Sequence, residues 1–271
     1  MKIKLINLGL KLGFIFSIST LTPTAEAEIT AYEGFDYQLN EPLTGLNGGT
    51  GWSSAWTTNS GADGQIAAGL SYSDEAGNQL VVNGGAFKTN PSRSYYQSIR
   101  DSNTSFGDAD TSVWLSFIVQ QAATTTGTNY AVATVGTGYG FGSDAMIAGI
   151  GGATAYPFIN SFYASGGGTS DTSLILLPSE SAMIVLRFDF VVSGNDILNL
   201  WYNPSLQDAP GVPLLTHSSK DYAPLISGLT LAHGNYKDFV YDEIRIGTDF
   251  SSVTPFHEAP IFINGFEAVA E

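Results

Sequence analysis

The chain has 271 residues, no cysteine, and 25 acidic against 10 basic residues, which gives a formal net charge of −15. The lack of cysteine excludes disulfide bonds, thiolate nucleophiles and cysteine-ligated zinc. The acidic balance disfavours nucleic acid and anionic membranes as partners, because both select basic surfaces. A chain of this length can bury one large core as a single domain.

The N-terminal segment predicts export. Residues 1–4 form a short basic region, and an apolar stretch follows over residues 12–21. Ala25-Glu26-Ala27 then supplies small residues at the positions that signal peptidases require. The apolar stretch is shorter than the ~20 residues that a transmembrane helix needs. We therefore expect a signal peptide over residues 1–27, and an extracellular, periplasmic or cell-surface location without a membrane span in the mature chain.

The rest of the chain predicts β structure, because short alternating runs are separated by clusters of Gly, Asn, Ser and Asp. The predicted strands, in chain order, cover residues 29–37, 69–72, 79–82, 94–99, 112–119, 145–150, 157–163, 182–192, 197–202, 225–231 and 239–247. The clearest unit is a hairpin of 182–192 and 197–202. After Pro255 the alternation stops. We therefore predict one domain over residues 28–255 and a C-terminal tail over residues 256–271.

The last predicted strand, 239–247, carries an unexpected acid. In strict alternation Val240, Asp242 and Ile244 share one face of the strand, which is the more apolar face. A buried carboxylate needs hydrogen-bond donors or a cation, since an unpaired buried charge is costly. Two alternatives therefore stay open for Asp242. It binds a cation, or it is satisfied by backbone N–H groups or Arg245.

Six stretches of the chain carry a resemblance to known proteins: Tyr32-Glu-Gly-Phe-Asp36, Asn47-Gly-Gly-Thr-Gly-Trp-Ser-Ser-Ala-Trp56, Val113-Trp-Leu-Ser-Phe117, Leu186-Arg-Phe-Asp-Phe190, Leu200-Trp-Tyr-Asn-Pro204 and Tyr241-Asp-Glu-Ile-Arg-Ile-Gly247. Together they resemble exported bacterial proteins with a concanavalin A-like, LamG-like jelly roll. Such proteins often end in a PEP-type sorting tail or a dockerin, and we expect neither here. The resemblance implies an all-β fold of two antiparallel sheets packed face to face, with the first and last strands adjacent.

The same resemblance implies a metal site. Adjacent first and last strands would place Glu33 or Asp36 near Asp242, and similar jelly rolls hold a structural calcium there. Calcium takes six to eight oxygen ligands, which carboxylates and backbone carbonyls supply. We therefore expect calcium at Glu33, Asp36 and Asp242, with a hydrogen-bonded Asp242 carboxylate as the alternative.

Motifs for catalysis are missing from the sequence. Endoglycosidases of this fold carry Glu-x-Asp-x-x-Glu on one strand, and Asp108-Ala-Asp110 lacks the third acid. No Gly-x-Ser-x-Gly elbow precedes a helix. The three histidines, His217, His233 and His257, do not have the spacing of zinc ligands. The sequence therefore leaves open whether the protein is an enzyme and favours a non-catalytic role.

Two tryptophans suggest a ligand. Trp52 and Trp56 lie in a glycine-rich loop, residues 47–56, and exposed indole rings stack on sugar faces. The alternative is that both rings belong to the core. We predict an exported, non-catalytic β-sandwich that binds a polysaccharide or cell-surface glycan through these rings. A structural or adhesive surface protein without a small ligand, and a polysaccharide-cleaving enzyme with an unrecognised site, remain as alternatives.

Overall fold

The computed structural model describes residues 28–58, 63–90, 95–121, 129–136, 146–152, 155–161, 168–207, 210–218, 221, 226–234 and 238–259. The predicted signal peptide, residues 1–27, lies outside the described residues, and so does the predicted tail after residue 259. The strands, in chain order, are β1 (Ile29–Glu33), β2 (Thr57–Thr58), β3 (Gln65–Ala68), β4 (Gln79–Leu80), β5 (Gly85–Lys88), β6 (Tyr95–Phe106), β7 (Ser112–Gln121), β8 (Asn129–Gly136), β9 (Met146–Gly152), β10 (Tyr156–Ser161), β11 (Gly168–Ser170), β12 (Ser181–Asp189), β13 (Ile197–Tyr202), β14 (Leu215–His217), β15 (Ile226–Gly234), β16 (Phe239–Gly247) and β17 (Phe256–His257).

Within these ranges the strands form two large antiparallel sheets. The first has the order β14-β13-β12-β7-β16-β5-β3, and β1 also pairs with β16. The second has the order β11-β10-β9-β8-β15-β6-β2. The predicted fold, an all-β, two-sheet antiparallel jelly-roll sandwich, is confirmed. The expected neighbourhood of the first strand and the last long strand is present as well, because Glu33 of β1 is opposite Ile244 of β16.

The predicted hairpin is confirmed as the pair β12 and β13, in which Leu186 is opposite Leu200. Ile184, Leu186 and Phe188 all point into the main core between the sheets. Successive side chains of a strand alternate between faces. The residues between them therefore face the other side of the first sheet.

That other side is also covered, which explains why β7 and β12 are hydrophobic along nearly their whole length. A short helix, α1 (Phe250–Val253), packs there together with the segment before β4. Asp249 caps the helix by accepting a hydrogen bond from the Ser252 N–H. The outer cluster consists of Tyr72, Leu80, Trp114, Ile118, Met183, Val185, Trp201, Leu206, Phe250 and Val253. The central strands β7 and β12 of the first sheet are thus buried on both faces.

A β-bulge interrupts β16 and overturns one sequence-based interpretation. The register with β7 shifts between Asp242 and Arg245, and Glu243 has a φ of 53°. Tyr241 before the bulge and Ile244 after it both pack into the main core. The prediction from strict alternation, which gave Asp242 the face of Ile244, was therefore wrong. One extra residue exchanges the two faces of the strand from that point on.

The described β structure continues past Pro255. Phe256 is opposite Leu80, and β17 pairs with β4 in a small two-stranded sheet. Phe256 also packs against the outer cluster. Among the described residues, no helix has the length and hydrophobicity needed to cross a membrane.

Candidate functional site

A buried ion pair between Glu33 and Arg100 links β1 to β6. The Glu33 carboxylate accepts hydrogen bonds from the Phe35 N–H (2.9 Å), the Tyr37 hydroxyl (2.9 Å) and the Trp56 indole N–H (3.0 Å). Arg100 donates to the same carboxylate, and both side chains are only 1% exposed. Burial, together with the nearby Glu33 charge, raises the pKa of Tyr37 to about 12. A buried pair is tolerated when its remaining polar atoms have partners, as they do here.

Arg100 also shapes the glycine-rich loop. Its guanidinium donates to the Ser54 carbonyl (3.0 Å), the Asn47 side-chain oxygen (2.9 Å) and the Gly48 carbonyl (2.7 Å). Gly51 in this loop has a φ of 80°, and a Cβ there would overlap the backbone of β1. Glycine at position 51 therefore lets the loop lie directly against β1.

The two tryptophans of that loop are buried. Trp56 is 0% exposed and Trp52 is 9% exposed. Their ring centroids lie 6.4 Å apart, and the Arg100 guanidinium lies 5.1 Å from the Trp52 centroid and 5.5 Å from that of Trp56. Trp52 donates its indole N–H to the Tyr32 carbonyl (2.9 Å). In this arrangement both indole rings stabilise the glycine-rich loop. Stacking of a sugar on either ring stays a prediction, and it would require the loop to open.

Asp242 lies at the bulge and is satisfied by the backbone. One carboxylate oxygen accepts from the Leu70 N–H (2.7 Å) and the other from the Glu243 N–H (2.7 Å). Burial raises the pKa of Asp242 to about 8, and the neighbouring Glu243 carboxylate adds to the rise. The two N–H groups act in the opposite direction without cancelling it. The sequence left two alternatives for Asp242, a bound cation or hydrogen bonds from protein donors. In the structure its carboxylate accepts hydrogen bonds from backbone N–H groups.

Glu243 and Arg245 form a second buried pair beside Asp242. Glu243 accepts from the Asn83 N–H (2.6 Å), from the Tyr32 hydroxyl (3.2 Å) and from Arg245. Arg245 donates further to the Val81 carbonyl. Burial raises the pKa of Glu243 as well. The bulge is therefore tied to β1 and to the segment before β5.

The residues predicted to bind calcium do not fit one site in this arrangement. The Glu33 carboxylate is neutralised by Arg100, Asp242 accepts two backbone N–H groups, and Asp36 is exposed. Calcium needs six to eight oxygens around one point. Within the described part of the chain, no group of three or more His, Cys, Asp or Glu side chains is arranged to hold a metal ion. Calcium binding stays a prediction.

A polar pocket lies at one end of the first sheet, where β3 begins, β5 ends and β16 begins. Its cavity volume is about 230 Å³. The lining residues within the described part of the chain are polar except for one glycine: Asp63, Gly64, Gln65, Lys88, Thr89, Asn90 and Asp238. We call this cavity the polar pocket. A second depression, of about 430 Å³, lies elsewhere and is lined by Ser71, Tyr72, Ser73, Glu75, Ser181 and Asn203.

Charges in the polar pocket are partly paired. The Lys88 ammonium lies 3.0 Å from one oxygen of Asp238. The other Asp238 oxygen is buried and has no hydrogen-bond partner among the described residues. Asp63 accepts a hydrogen bond from the Thr44 N–H (2.8 Å). A buried acceptor without a donor is costly, so this oxygen weakens the local packing around Asp238.

The polar pocket leaves no recognisable signal in the sequence. Its residues come from three separated segments, residues 63–65, 88–90 and 238, and each residue type is ordinary at a strand end. Lys88 and Asp238 form an ion pair although about half of the chain lies between them. Their pairing therefore leaves no local sequence pattern. No motif in the sequence would have identified this site.

The histidines do not form a catalytic or zinc centre among the described residues. His217 and His233 are buried, whereas His257 is exposed. Burial lowers the pKa of His233 to about 4 and also lowers that of His217. Both imidazoles are therefore neutral at pH 7.

Comparisons with known proteins show the architecture. No protein-family model and no curated protein matches the chain. Among solved structures, the globular domain of T. cruzi calreticulin is similar with a TM-score of 0.50 and 12% identity, over 82% of this chain and 88% of that chain. The endo-β-1,4-glucuronan lyase of the fungus Trichoderma reesei is similar with a TM-score of 0.49 and 13% identity, over 84% and 99%. The carbohydrate recognition domain of Emp46p gives 0.41 and 9%, over 79% and 97%.

Structural similarity at such low sequence identity shows only that the folds are alike, because one fold serves many functions. The similar structures include lectin-like domains and polysaccharide lyases. The ligands and substrates of those proteins are not thereby assigned to this chain. The chain is a jelly-roll β-sandwich of the kind found in these proteins.

Proposed function

We propose that this protein is an exported, non-catalytic β-sandwich that binds a polysaccharide or a cell-surface glycan. The observation that carries the proposal is the chemistry of the polar pocket. Most small-molecule pockets are lined mainly by apolar side chains. This pocket instead combines carboxylates, amides, a hydroxyl and an ammonium group. Sugar hydroxyls both donate and accept hydrogen bonds, so they match such a lining.

Export and the acidic surface support the same function. The basic and apolar N-terminal segment would direct the chain out of the cytoplasm. The net charge of −15 keeps the protein away from nucleic acid and anionic lipid. An exported acidic domain therefore meets mainly glycans and other surface proteins.

The proposal is tested with the protein purified after export. A glycan array identifies ligands, and isothermal titration calorimetry measures affinity for each positive glycan. Asp238→Asn removes one pocket carboxylate, and Asp110→Asn makes the same charge change in an exposed turn with a φ of 62°, which Asn also adopts. We expect the pocket variant to weaken binding and the turn variant to leave it unchanged. No binding to any glycan would overturn the proposal.

A structural or adhesive protein without a small ligand is the second candidate. The burial of Trp52 and Trp56 favours it, because neither indole face is presented to solvent in this arrangement. An empty glycan array together with self-association of the purified protein would support this candidate.

A polysaccharide-cleaving enzyme is the third candidate, because Asp63 and Asp238 line the same pocket. Glycosidic hydrolysis uses two carboxyl groups, of which one must carry a proton to give to the leaving group. Each of these carboxylates already accepts from a donor, Thr44 N–H or Lys88. This arrangement is suited to ligand binding more than to proton donation. Release of reducing ends from any array-positive glycan would favour the enzyme instead.

A further inference from the structure

We propose that Asn103 is a site of N-linked glycosylation, at which the exported chain receives one oligosaccharide. Asn103-Thr-Ser105 matches the acceptor signal Asn-x-Ser, in which the middle residue is not proline. Such a signal is used on the surface of secreted proteins, because the added glycan is bulky and hydrophilic. The inference goes beyond the proposed glycan binding and shares with it only the proposed export.

Two other asparagines come close to the acceptor signal and fail it. Asn90-Pro-Ser92 and Asn203-Pro-Ser205 both have proline in the middle position, which the signal excludes. No further asparagine in the sequence has Ser or Thr two positions later. Asn203 is exposed, as Asn103 is. The chain therefore contains one acceptor signal and an exposed asparagine that serves as an internal control.

The structure places the acceptor signal on a projection of β6. Asp101 of β6 is opposite Gly228 of β15, and Phe106 is opposite Ile226, with a shift of register between the two pairs. Between these pairs β6 has residues 102–105, whereas β15 has a single residue. The longer segment therefore bulges away from the sheet. All three residues of the signal are exposed.

Backbone groups and a core side chain hold this projection in place. The Asn103 N–H donates to the Gly51 carbonyl (2.9 Å), and the Thr104 N–H donates to the Ser102 hydroxyl (3.2 Å). Phe106 packs against the main core where the projection ends. The exposed Asn103 side chain can therefore carry a glycan without displacing the core or breaking these contacts.

The transfer reaction needs a lipid pyrophosphate-linked oligosaccharide as co-substrate and an oligosaccharyltransferase as enzyme. Asn103 Nδ2 forms a bond to the anomeric carbon of the first sugar, and the bond from that carbon to the pyrophosphate oxygen breaks. The pyrophosphate leaves with the bonding electron pair, and the amide nitrogen gives one proton to a base of the enzyme. The Ser105 hydroxyl belongs to the recognition signal and is not itself modified.

Mass spectrometry of the protein purified from the organism that encodes it gives the first test. We expect a species heavier than the mature chain by one oligosaccharide, with the sugar on Asn103 and none on Asn90 or Asn203. A chain that begins at Glu28 without a glycan on Asn103 would overturn this inference and leave export in place. A chain that lacks the glycan and retains residues 1–27 would overturn both.

Two substitutions of Ser105 give the second test, because they leave the acceptor amide intact. Ser105→Ala removes the recognised hydroxyl and should abolish the glycan, whereas Ser105→Thr keeps an Asn-x-Thr signal and should retain it. Asn103→Gln removes the acceptor and should match Ser105→Ala. Both positions are exposed, so we expect each variant to fold, and thermal unfolding checks this. A glycan that persists in Ser105→Ala would overturn the assignment of this signal.

Discussion

Glu33 and Asp242 are both buried carboxylates on strands that pair with each other, yet their surroundings differ. Glu33 has a cation, an indole N–H, a hydroxyl and a backbone N–H as partners. Asp242 has two backbone N–H groups, and burial raises its pKa to about 8. The Glu33 carboxylate lies in a network of donors that includes the Arg100 guanidinium. The charge of the Asp242 carboxylate is only partly compensated by its two N–H partners. The stability of the protein therefore depends on pH through this group.

The difference shows that burial alone does not decide how a carboxylate behaves. What matters is whether an arginine from elsewhere in the fold reaches it. Arg100 reaches Glu33, whereas Arg245 turns to Glu243 and to the Val81 carbonyl. Each of the following predictions removes or tests one side of this comparison.

The largest effect is expected for Arg100→Met, which leaves Glu33 buried without its cation. Removing one partner of a buried ion pair costs about 3–5 kcal/mol of unfolding free energy. The substitution also removes the donors that hold the glycine-rich loop. Urea unfolding followed by tryptophan fluorescence measures the loss.

Arg187→Met is the matched control for that experiment. Arg187 pairs with Asp189, but its side chain is 39% exposed, so we expect a loss of less than about 1 kcal/mol. If the two arginine variants lose similar unfolding free energy, the buried Glu33 network does not contribute more to stability than the exposed Arg187 pair.

The next effect is expected for Trp56→Phe, which removes the indole donor to the Glu33 carboxylate. A hydrogen bond to a charged group contributes about 1.5–3 kcal/mol. Trp52→Phe removes a donor to a neutral carbonyl, Tyr32, and we expect about 0.5–1.5 kcal/mol there. Urea unfolding of both variants gives the difference. A larger loss for Trp52→Phe would contradict this ranking.

Over the single pH unit from pH 7 to pH 8, a smaller effect is expected from the titration of Asp242. Because its pKa is raised from 3.8 to about 8, the folded protein binds a proton that the unfolded chain releases above pH 4. Its contribution to stability is therefore complete below pH 4 and is lost as pH rises to about 8. One proton gives a slope of at most about 1.4 kcal/mol per pH unit.

Urea unfolding between pH 7 and pH 8 measures that slope, and the Asp242→Asn variant assigns it. His233, with its pKa lowered from 6.5 to about 4, is neutral in the folded protein and mostly neutral in the unfolded chain over this range. Asp242→Asn should flatten the decline of stability with pH, whereas Asp110→Asn should keep it. The same slope in wild type and Asp242→Asn would mean that another group causes the pH dependence.

The smallest effect is expected from calcium. Glu33 and Asp242 already have protein partners, so we expect millimolar calcium after EDTA to leave the melting temperature nearly unchanged. A hundredfold excess of calcium over its dissociation constant would otherwise add about 2.7 kcal/mol. A rise of several degrees that Asp242→Ala abolishes would support the calcium site predicted from the sequence at Glu33, Asp36 and Asp242.

Residue patterns were sufficient to predict the class of fold and its clearest hairpin. Alternation in residues 182–192 and 197–202 assigned the inward face correctly, because period-two patterns directly encode which side chains meet the core. The resemblance of the six stretches predicted the jelly roll and the pairing of β1 with β16.

The tertiary structure alone decided the partners of the buried charges. A single extra residue at Glu243 reversed the faces of β16, and periodicity cannot show where a bulge falls. Arg100 reaches Glu33 from 67 residues along the chain. The polar pocket likewise arises where three strand ends meet. Such contacts depend on packing between distant segments, which no local pattern of residues records.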